Sequence, residues 1–346
     1  MCVILYTEID GKQILAKNRD RAYKPNMAIV HEIINGIEVA YIMDLKSGWI
    51  EGINELGTAM VNSSMNVNDG VVRKKKTPDQ LKIKKERNKF YQSLIEKDKE
   101  KVLKNLTDEP YSSNYVLEGH TLLVFNDKIY HIETDVKRKY AIEKINKETV
   151  YANHGINFKN EGFVRGRKGF SSFIRKKLVE KELDHHTHTK MNAEIYDDFM
   201  SDIMNVNYKN IDPRFHSYRD KNTTLKQNKD LDIKQVFVNT TGQILINVTD
   251  RELVYYHDKN NSEKVKYVNK LPRDYVPKIR VMIRVTEKNQ RPTKKVFTRR
   301  YLNKMCKKFD YYDKHRRSCP FLNKTRKNRK SSLKNKTYRD KEDNSK

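Results

Sequence analysis

The dipeptide Asp10-Gly11 lies between two apolar runs, Val3–Thr7 and Gln13–Ala16, and Asn35-Gly36 lies in the same way between Ala28–Ile34 and Ile37–Asp44. Two-residue loops of this composition accept positive φ, so they close antiparallel hairpins whose twist matches the flanking strands. His120–Phe125 and Ile129–Glu133 repeat the pattern around Asn126-Asp127. Further strands are predicted at Thr58–Ser63, Val150–Asn153 and Arg280–Val285, with a meander of Val236–Thr240, Ile244–Val248 and Leu253–Tyr256. The runs are apolar more often than they alternate, which predicts sheets covered on both faces.

Helical signals fall between these strands. Thr77-Pro78-Asp79 combines an N-cap, a proline in the first turn and an early acid. Leu81, Phe90, Leu94 and Ile95 give the helix that follows an imperfect apolar face, and Lys99–Leu106 reads as a shorter second helix. Helix is predicted again over Ser171–Glu182 and Met191–Met204, where Met191, Ile195, Phe199 and Ile203 recur at a four-residue step. Hairpins at both ends and helix pairs between them predict an α+β chain of two stacked antiparallel sheets flanked by helical layers.

Charge divides the chain. Residues 286–346 hold 22 Lys+Arg against 6 Asp+Glu, a net +16 out of +27 for the whole chain. Apolar periodicity stops near Pro292, so the expected organisation is a folded domain over 2–285 and a basic, largely disordered tail over 286–346. A block of like charge repels itself and suits a polyanion. Phe309, Tyr311, Tyr312 and Phe321 are interleaved with the basic residues and can stack on bases. Cys306, His315 and Cys319 lack zinc-knuckle spacing, and the tail reads as an appendage rather than a folded nucleic-acid module. No apolar stretch reaches signal-peptide or membrane-span length. With three scattered cysteines, this predicts a reducing compartment: cytoplasmic, or nuclear through the tail.

Cys2 is the residue with chemistry to explain. Once Met1 is removed it carries both a thiol and a free α-amine. The amine, with an ordinary pKa of about 7.7–8.0, can take the thiol proton, so nucleophile and base share one residue. General-base help of this kind is worth about 10²–10⁴ in rate. The hairpin closed at Asp10-Gly11 returns Lys17, Arg19 and Asp20 to its side, where a carboxylate can hold the amine and a cation can favour thiolate. The bland alternative is a small strand residue beside a solvated turn.

Met1-Cys2, Asp10-Gly11 and Asn18-Arg19-Asp20 together resemble the start of the choloylglycine hydrolase and penicillin V acylase group of N-terminal-nucleophile (Ntn) hydrolases. The triplet also resembles the Asn-Arg-Asp-Glu signature of a related family, with Arg21 in place of the final Glu. Glu51–Gly57, Tyr151-Ala152-Asn153-His154, and the stretch from Tyr218 to Gln227 with the meander after it, resemble later segments of the group in the same order. The resemblance covers about residues 2–285. It implies a four-layer αββα sandwich and cleavage or transfer at a linear amide bond through a thioester. It further implies Cys2 as nucleophile, Asp20 on its amine, and Asn153 as oxyanion donor with a second donor near Asn62 or Ser64.

The chain also departs from the group. Lys17 stands where the bile-salt enzymes carry arginine, with Arg19 nearby. Ser172 aligns with their later arginine, leaving Arg175, Arg165 or Arg167 to substitute, so bile-salt or penicillin specificity does not carry over. An acylated small molecule is the expected substrate class and no cofactor is expected. Asp184-His185-His186-Thr187-His188 reads as an exposed polar loop rather than a metal site, and Trp49 as packing near Gly48. The oligomeric state, a homo-oligomer included, stays open. The rival reading is a non-catalytic protein that binds nucleic acid or another polyanion through its tail.

Overall fold

The computed structural model describes residues 2–21, 25–65, 77–107, 118–159 except 136 and 138, 162, 166–185, 196–205 and 239–256, and short strands at 224–225, 236–237, 262–266 and 280–281. Ten strands and three helices come first: β1 (Cys2–Ile9), β2 (Lys12–Arg21), β3 (Met27–Ile34), β4 (Ile37–Asp44), β5 (Trp49–Asn54), β6 (Ala59–Ser64), α1 (Pro78–Glu86), α2 (Lys89–Leu94), α3 (Lys99–Thr107), β7 (Gly119–Phe125), β8 (Lys128–Thr134), β9 (Tyr140–Ile145) and β10 (Thr149–Tyr151). Then follow α4 (Gly166–His185), α5 (Tyr196–Phe199) with a π-helical turn over Met200–Met204, β11 (Thr224–Leu225), β12 (Val236–Phe237), β13 (Asn239–Asn247), β14 (Glu252–Tyr256), β15 (Ser262–Lys266) and β16 (Arg280–Val281).

The dipeptide loops form as the sequence predicts. Asp10, Gly11, Asn35, Gly36, Asn126 and Asp127 all have φ between 52° and 72°, the left-handed region that suits Asn, Asp and Gly. The strands they join assemble into two antiparallel sheets. One runs β10-β1-β2-β13-β14-β15, the other β16-β3-β4-β5-β6-β7-β8-β9. Strand alternation gives each sheet two apolar faces. Ile4, Tyr6, Leu15 and Ile244 of the first sheet meet Ile42, Ile53, Val61 and Leu122 of the second. On the outer face of the first, Val3, Leu5 and Ala16 pack on Val179, Phe199 and Ile203. On the outer face of the second, Tyr41 and Met60 pack on Phe90, Leu94 and Val102. Helices therefore cover the far side of each sheet, around a core shared between the sheets.

Two local readings change. Thr77 caps α1, as predicted, and does so in a reciprocal capping box with Gln80. The helix does not continue through Phe90, however. Asn88 accepts hydrogen bonds from Phe90 N and Tyr91 N and so starts a second helix, a competition with the helical ladder that short polar side chains win. Of the predicted Met191–Met204 helix, residues 191–195 lie outside the described residues; the described part, from Tyr196, ends in a π-turn. The Lys17–Asp20 cluster is no solvated turn: β2 runs to Arg21 and all four residues are fully buried. Of the His-rich stretch, Asp184 and His185 end α4 and the rest lies outside the described residues, as do Arg165 and the whole of 286–346. Among the described residues no helix is long and apolar enough to cross a membrane.

Candidate active site

Cys2 is the first residue of β1, and the hairpin sets it directly opposite Arg19, with Ile4 opposite Lys17. Opposed residues share a face, so Cys2, Lys17 and Arg19 all turn towards the space between the sheets. Glu51 of the second sheet meets them there. It pairs with Lys17 Nζ through Oε1, and Arg19 Nη1 lies 3.2 Å from its other oxygen. Arg19 Nη2 lies 3.6 Å from Asp44. Two cations and two acids thus sit without solvent, and such a group holds only while its members stay paired.

Asn18 and Asp20 point the other way, towards the helices. Asp20 Oδ1 accepts from Thr240 Oγ1 at 2.7 Å, and Oδ2 lies 3.5 Å from Arg175 Nη1. A bulge between Thr240 and Gln243 in the β2–β13 pairing brings that threonine to the carboxylate. Arg175, fully buried on α4, gathers the site. Its Nη1 donates to the Cys2 carbonyl at 3.2 Å and its Nη2 to Asn153 Oδ1 at 2.8 Å. The same Asn153 oxygen accepts from Cys2 N at 2.9 Å. That nitrogen is a peptide N–H here and marks where the α-amine stands once Met1 is removed. Two donors on one side fix the orientation of the Asn153 amide. Its Nδ2 is turned to Ser63 Oγ at 3.1 Å and to the Ser64 carbonyl.

The structure therefore sets Asn153 and Arg175 against the Cys2 backbone, places Asp20 on Arg175 and Thr240 rather than on the Cys2 nitrogen, and puts Lys17 and Arg19 on the face of the Cys2 side chain. On β6 it is Ser63 that faces Cys2, its hydroxyl donating to the Ala152 carbonyl at 2.6 Å and lying 3.3 Å from that of Cys2. Asn62 alternates to the other face, and its Nδ2 meets no acceptor among the described residues. Ser64 takes part through its carbonyl. Three further residues take part to which the sequence assigns no site role: Ser63, Ser172 and Arg21. Ser172 Oγ accepts from Asn153 N at 2.7 Å and contacts His154 Nδ1 at 2.8 Å. Arg21 Nη1 lies 3.3 Å from Cys2 Sγ. The period of two in β2 carries the Arg21 signal, because Lys17, Arg19 and Arg21 share one face.

These charges set the thiol. Burial alone would raise the Cys2 pKa. With Met1 still attached, the terminal ammonium, Lys17 and Arg21 outweigh it, against a smaller opposing effect of Asp20, and bring it from 9.0 down to about 6. Burial pulls Lys17 down to about 8, with Glu51 and Cys2 resisting. Burial likewise lowers His154 to about 3, helped by His120, so its imidazole is neutral near pH 7. A buried thiolate beside a nascent amine, with guanidinium, amide and hydroxyl groups around its backbone, can act as a nucleophile.

No protein-family model and no curated protein matches the sequence. Among solved structures the chain matches conjugated bile acid hydrolase from Clostridium perfringens. A cysteine-to-alanine mutant of that protein is 12% identical with a TM-score of 0.47, covering 84% of this chain and 99% of that one. An arginine-to-leucine variant of it is 13% identical with a TM-score of 0.47, covering 83% and 99%. Penicillin V acylase from Agrobacterium tumefaciens is 11% identical with a TM-score of 0.45, covering 77% and 86%. All three matches are at low sequence identity.

Proposed function

We propose that the chain is an N-terminal-cysteine hydrolase or acyltransferase acting on a linear amide of an acylated small molecule. The observation that carries this reading is the position of Cys2: its thiol is buried among cations, and its nitrogen is held at 2.9 Å by Asn153. After loss of Met1 the α-amine takes the thiol proton, and Sγ attacks the substrate carbonyl carbon. The C–N bond of the tetrahedral intermediate breaks, and the leaving amine takes the proton back from the ammonium. The acyl group stays on sulfur as a thioester until water or an acceptor amine releases it. Asn153 Nδ2 is the oxyanion donor in this scheme, exchanging its bond to Ser63 for one to the developing charge. Arg175 positions Cys2 and Asn153 together, and Asp20 holds Arg175 from the helical side.

The test uses full-length protein whose Met1 removal is checked by intact mass. It is screened against acyl-amino acids, acyl-polyamines and acyl-homoserine lactones. Turnover that is lost in Cys2→Ala with the fold retained, together with an acyl adduct on Cys2, supports the reading. Turnover that survives Cys2→Ala, or Met1 retained in every molecule, overturns it. The net +16 of residues 286–346 supports a second reading, polyanion binding through the tail.

A further inference from the structure

His120 on β7 and Glu133 on β8 face each other in register across the hairpin closed at Asn126-Asp127, and His131 lies two residues before Glu133 on the same face. All three are buried, in a place the proposed chemistry does not use. The hydrogen bonds around the two imidazoles fix their protons. His120 Nε2 lies 2.9 Å from the His154 carbonyl, which can only accept, so Nε2 carries the hydrogen. His131 Nδ1 lies 2.7 Å from Glu143 Oε1, also an acceptor, so Nδ1 carries its hydrogen. A neutral imidazole has one N–H. The remaining nitrogens, His120 Nδ1 and His131 Nε2, therefore point lone pairs at each other across 2.9 Å. Facing lone pairs need a cation between them, either an extra proton shared by the two rings or a metal ion set off the line that joins the nitrogens.

Glu133 supplies the second observation. Its carboxylate accepts from Ile156 N at 2.9 Å, Phe158 N at 3.1 Å and Asn157 N at 2.7 Å. It is fully buried, and among the described residues no lysine or arginine forms an ion pair with it. Three backbone N–H donors satisfy the carboxylate as an acceptor, and a metal ion beside it would add a counter-charge. One ligand atom from each of His120, His131 and Glu133 falls within 4.8 Å of the others.

We propose that His120 Nδ1, His131 Nε2 and a Glu133 oxygen bind one divalent ion of the zinc class. Tetrahedral zinc, with bonds of about 2.0–2.2 Å, holds its ligands a little over 3 Å apart, so the imidazoles part by a few tenths of an ångström and the carboxylate closes by up to about 1.5 Å. Two imidazoles and a carboxylate suit zinc better than calcium or magnesium. The outer N–H of each imidazole already donates to a carbonyl or a carboxylate, the usual way of orienting a metal-bound histidine. The Glu143 side chain is 49% exposed and opens a route from solvent. The ion ties β7 and β8 to the loop that follows Asn153 and holds that loop in place.

The experiment titrates chelator-treated full-length protein with zinc chloride by calorimetry, and with cobalt(II) by absorbance. The expected result is one tight site whose cobalt spectrum has nitrogen/oxygen-type ligand-field bands and no thiolate charge-transfer band, which separates it from Cys306 and Cys319. Glu143→Ala, at a half-exposed position, should weaken zinc binding by about 10–100-fold, and His131→Ala should abolish the site. The histidines at 185, 186 and 188 are intact in both variants. Wild-type affinity in Glu143→Ala, no stoichiometric site in the wild type, or a nitrogen-15 spectrum showing a proton shared between His120 and His131 at saturating zinc would overturn the proposal. Glu143→Ala and the cobalt spectrum decide the matter even if His131→Ala does not fold.

Discussion

The pH profile of Cys2 alkylation tests the electrostatics of the site most directly. At pH 7 a thiol of pKa 9.0 is about 1% ionised, whereas one at about 6 is about 90% ionised. Nucleophilicity per thiolate falls with pKa at a Brønsted slope of about 0.4–0.5, so a drop of about three units costs Cys2 roughly 20-fold. Before any effect of access, Cys2 is then roughly fourfold faster than an ordinary thiol at pH 7 and roughly fiftyfold faster at pH 5. The order reverses near pH 8, and by pH 9 Cys2 is roughly tenfold slower. Burial scales the rate at every pH alike, so the shape of the profile carries the information: a midpoint near 6. Timed iodoacetamide labelling with peptide mass spectrometry reads Cys2 apart from Cys306 and Cys319, with the urea-unfolded chain as reference. Arg21→Gln removes a guanidinium 3.3 Å from the sulfur and should raise the midpoint by roughly one to two units. The same shift links to stability. The folded pKa lies below the unfolded one, so the stabilisation is fully present above about pH 9 and is lost as pH falls through about 6; three units correspond to about 4 kcal/mol. Cys2→Ala should flatten the stability–pH curve over that window. A native midpoint at or above about 8.5 would refute the reasoning, because it would mean that burial outweighs the cations.

Glu51→Gln leaves Lys17 and Arg19 buried without their shared counter-charge; thermal or urea unfolding should show a loss of about 3–5 kcal/mol, and an unchanged midpoint would mean that water reaches the cluster. Asn153→Ala should lower kcat by about 10²–10³ on any Cys2-dependent substrate, with a smaller effect on melting; an unchanged kcat would remove Asn153 from oxyanion binding. Deleting residues 286–346 should leave the melting temperature of the rest intact and weaken binding to RNA or heparin, with the full-length affinity falling as salt rises; a large drop in melting temperature would show that the tail packs on the domain.

Some of this protein was written in short stretches of sequence, because the forces concerned are local. The loops at Asp10-Gly11, Asn35-Gly36 and Asn126-Asp127 need only residues that tolerate positive φ, and a two-residue loop fixes the register of the strands beside it. That register alone places Arg19 opposite Cys2 and His120 opposite Glu133. The α1 cap at Thr77 is equally local. The histidine pair is less legible, because each histidine sits singly in an apolar strand, the register opposes His120 to Glu133 rather than to His131, and packing brings the rings together. Other features come from burial and from contacts between segments far apart in the chain, which no local pattern records. Arg175 reaches Cys2 across 173 positions, and Asn153 reaches it across 151. Whether Lys17–Asp20 faces water or core depends on the second sheet, which supplies Glu51 and Asp44 as counter-charges, and on β13, which lies along the far edge of β2. Alternation in β6 turns Ser63 rather than Asn62 towards the nucleophile, a choice that rests on which face of that strand meets the first sheet. The depressed pKa of Cys2 belongs to the same class: charge acts through space, and only the packed structure sets the distances.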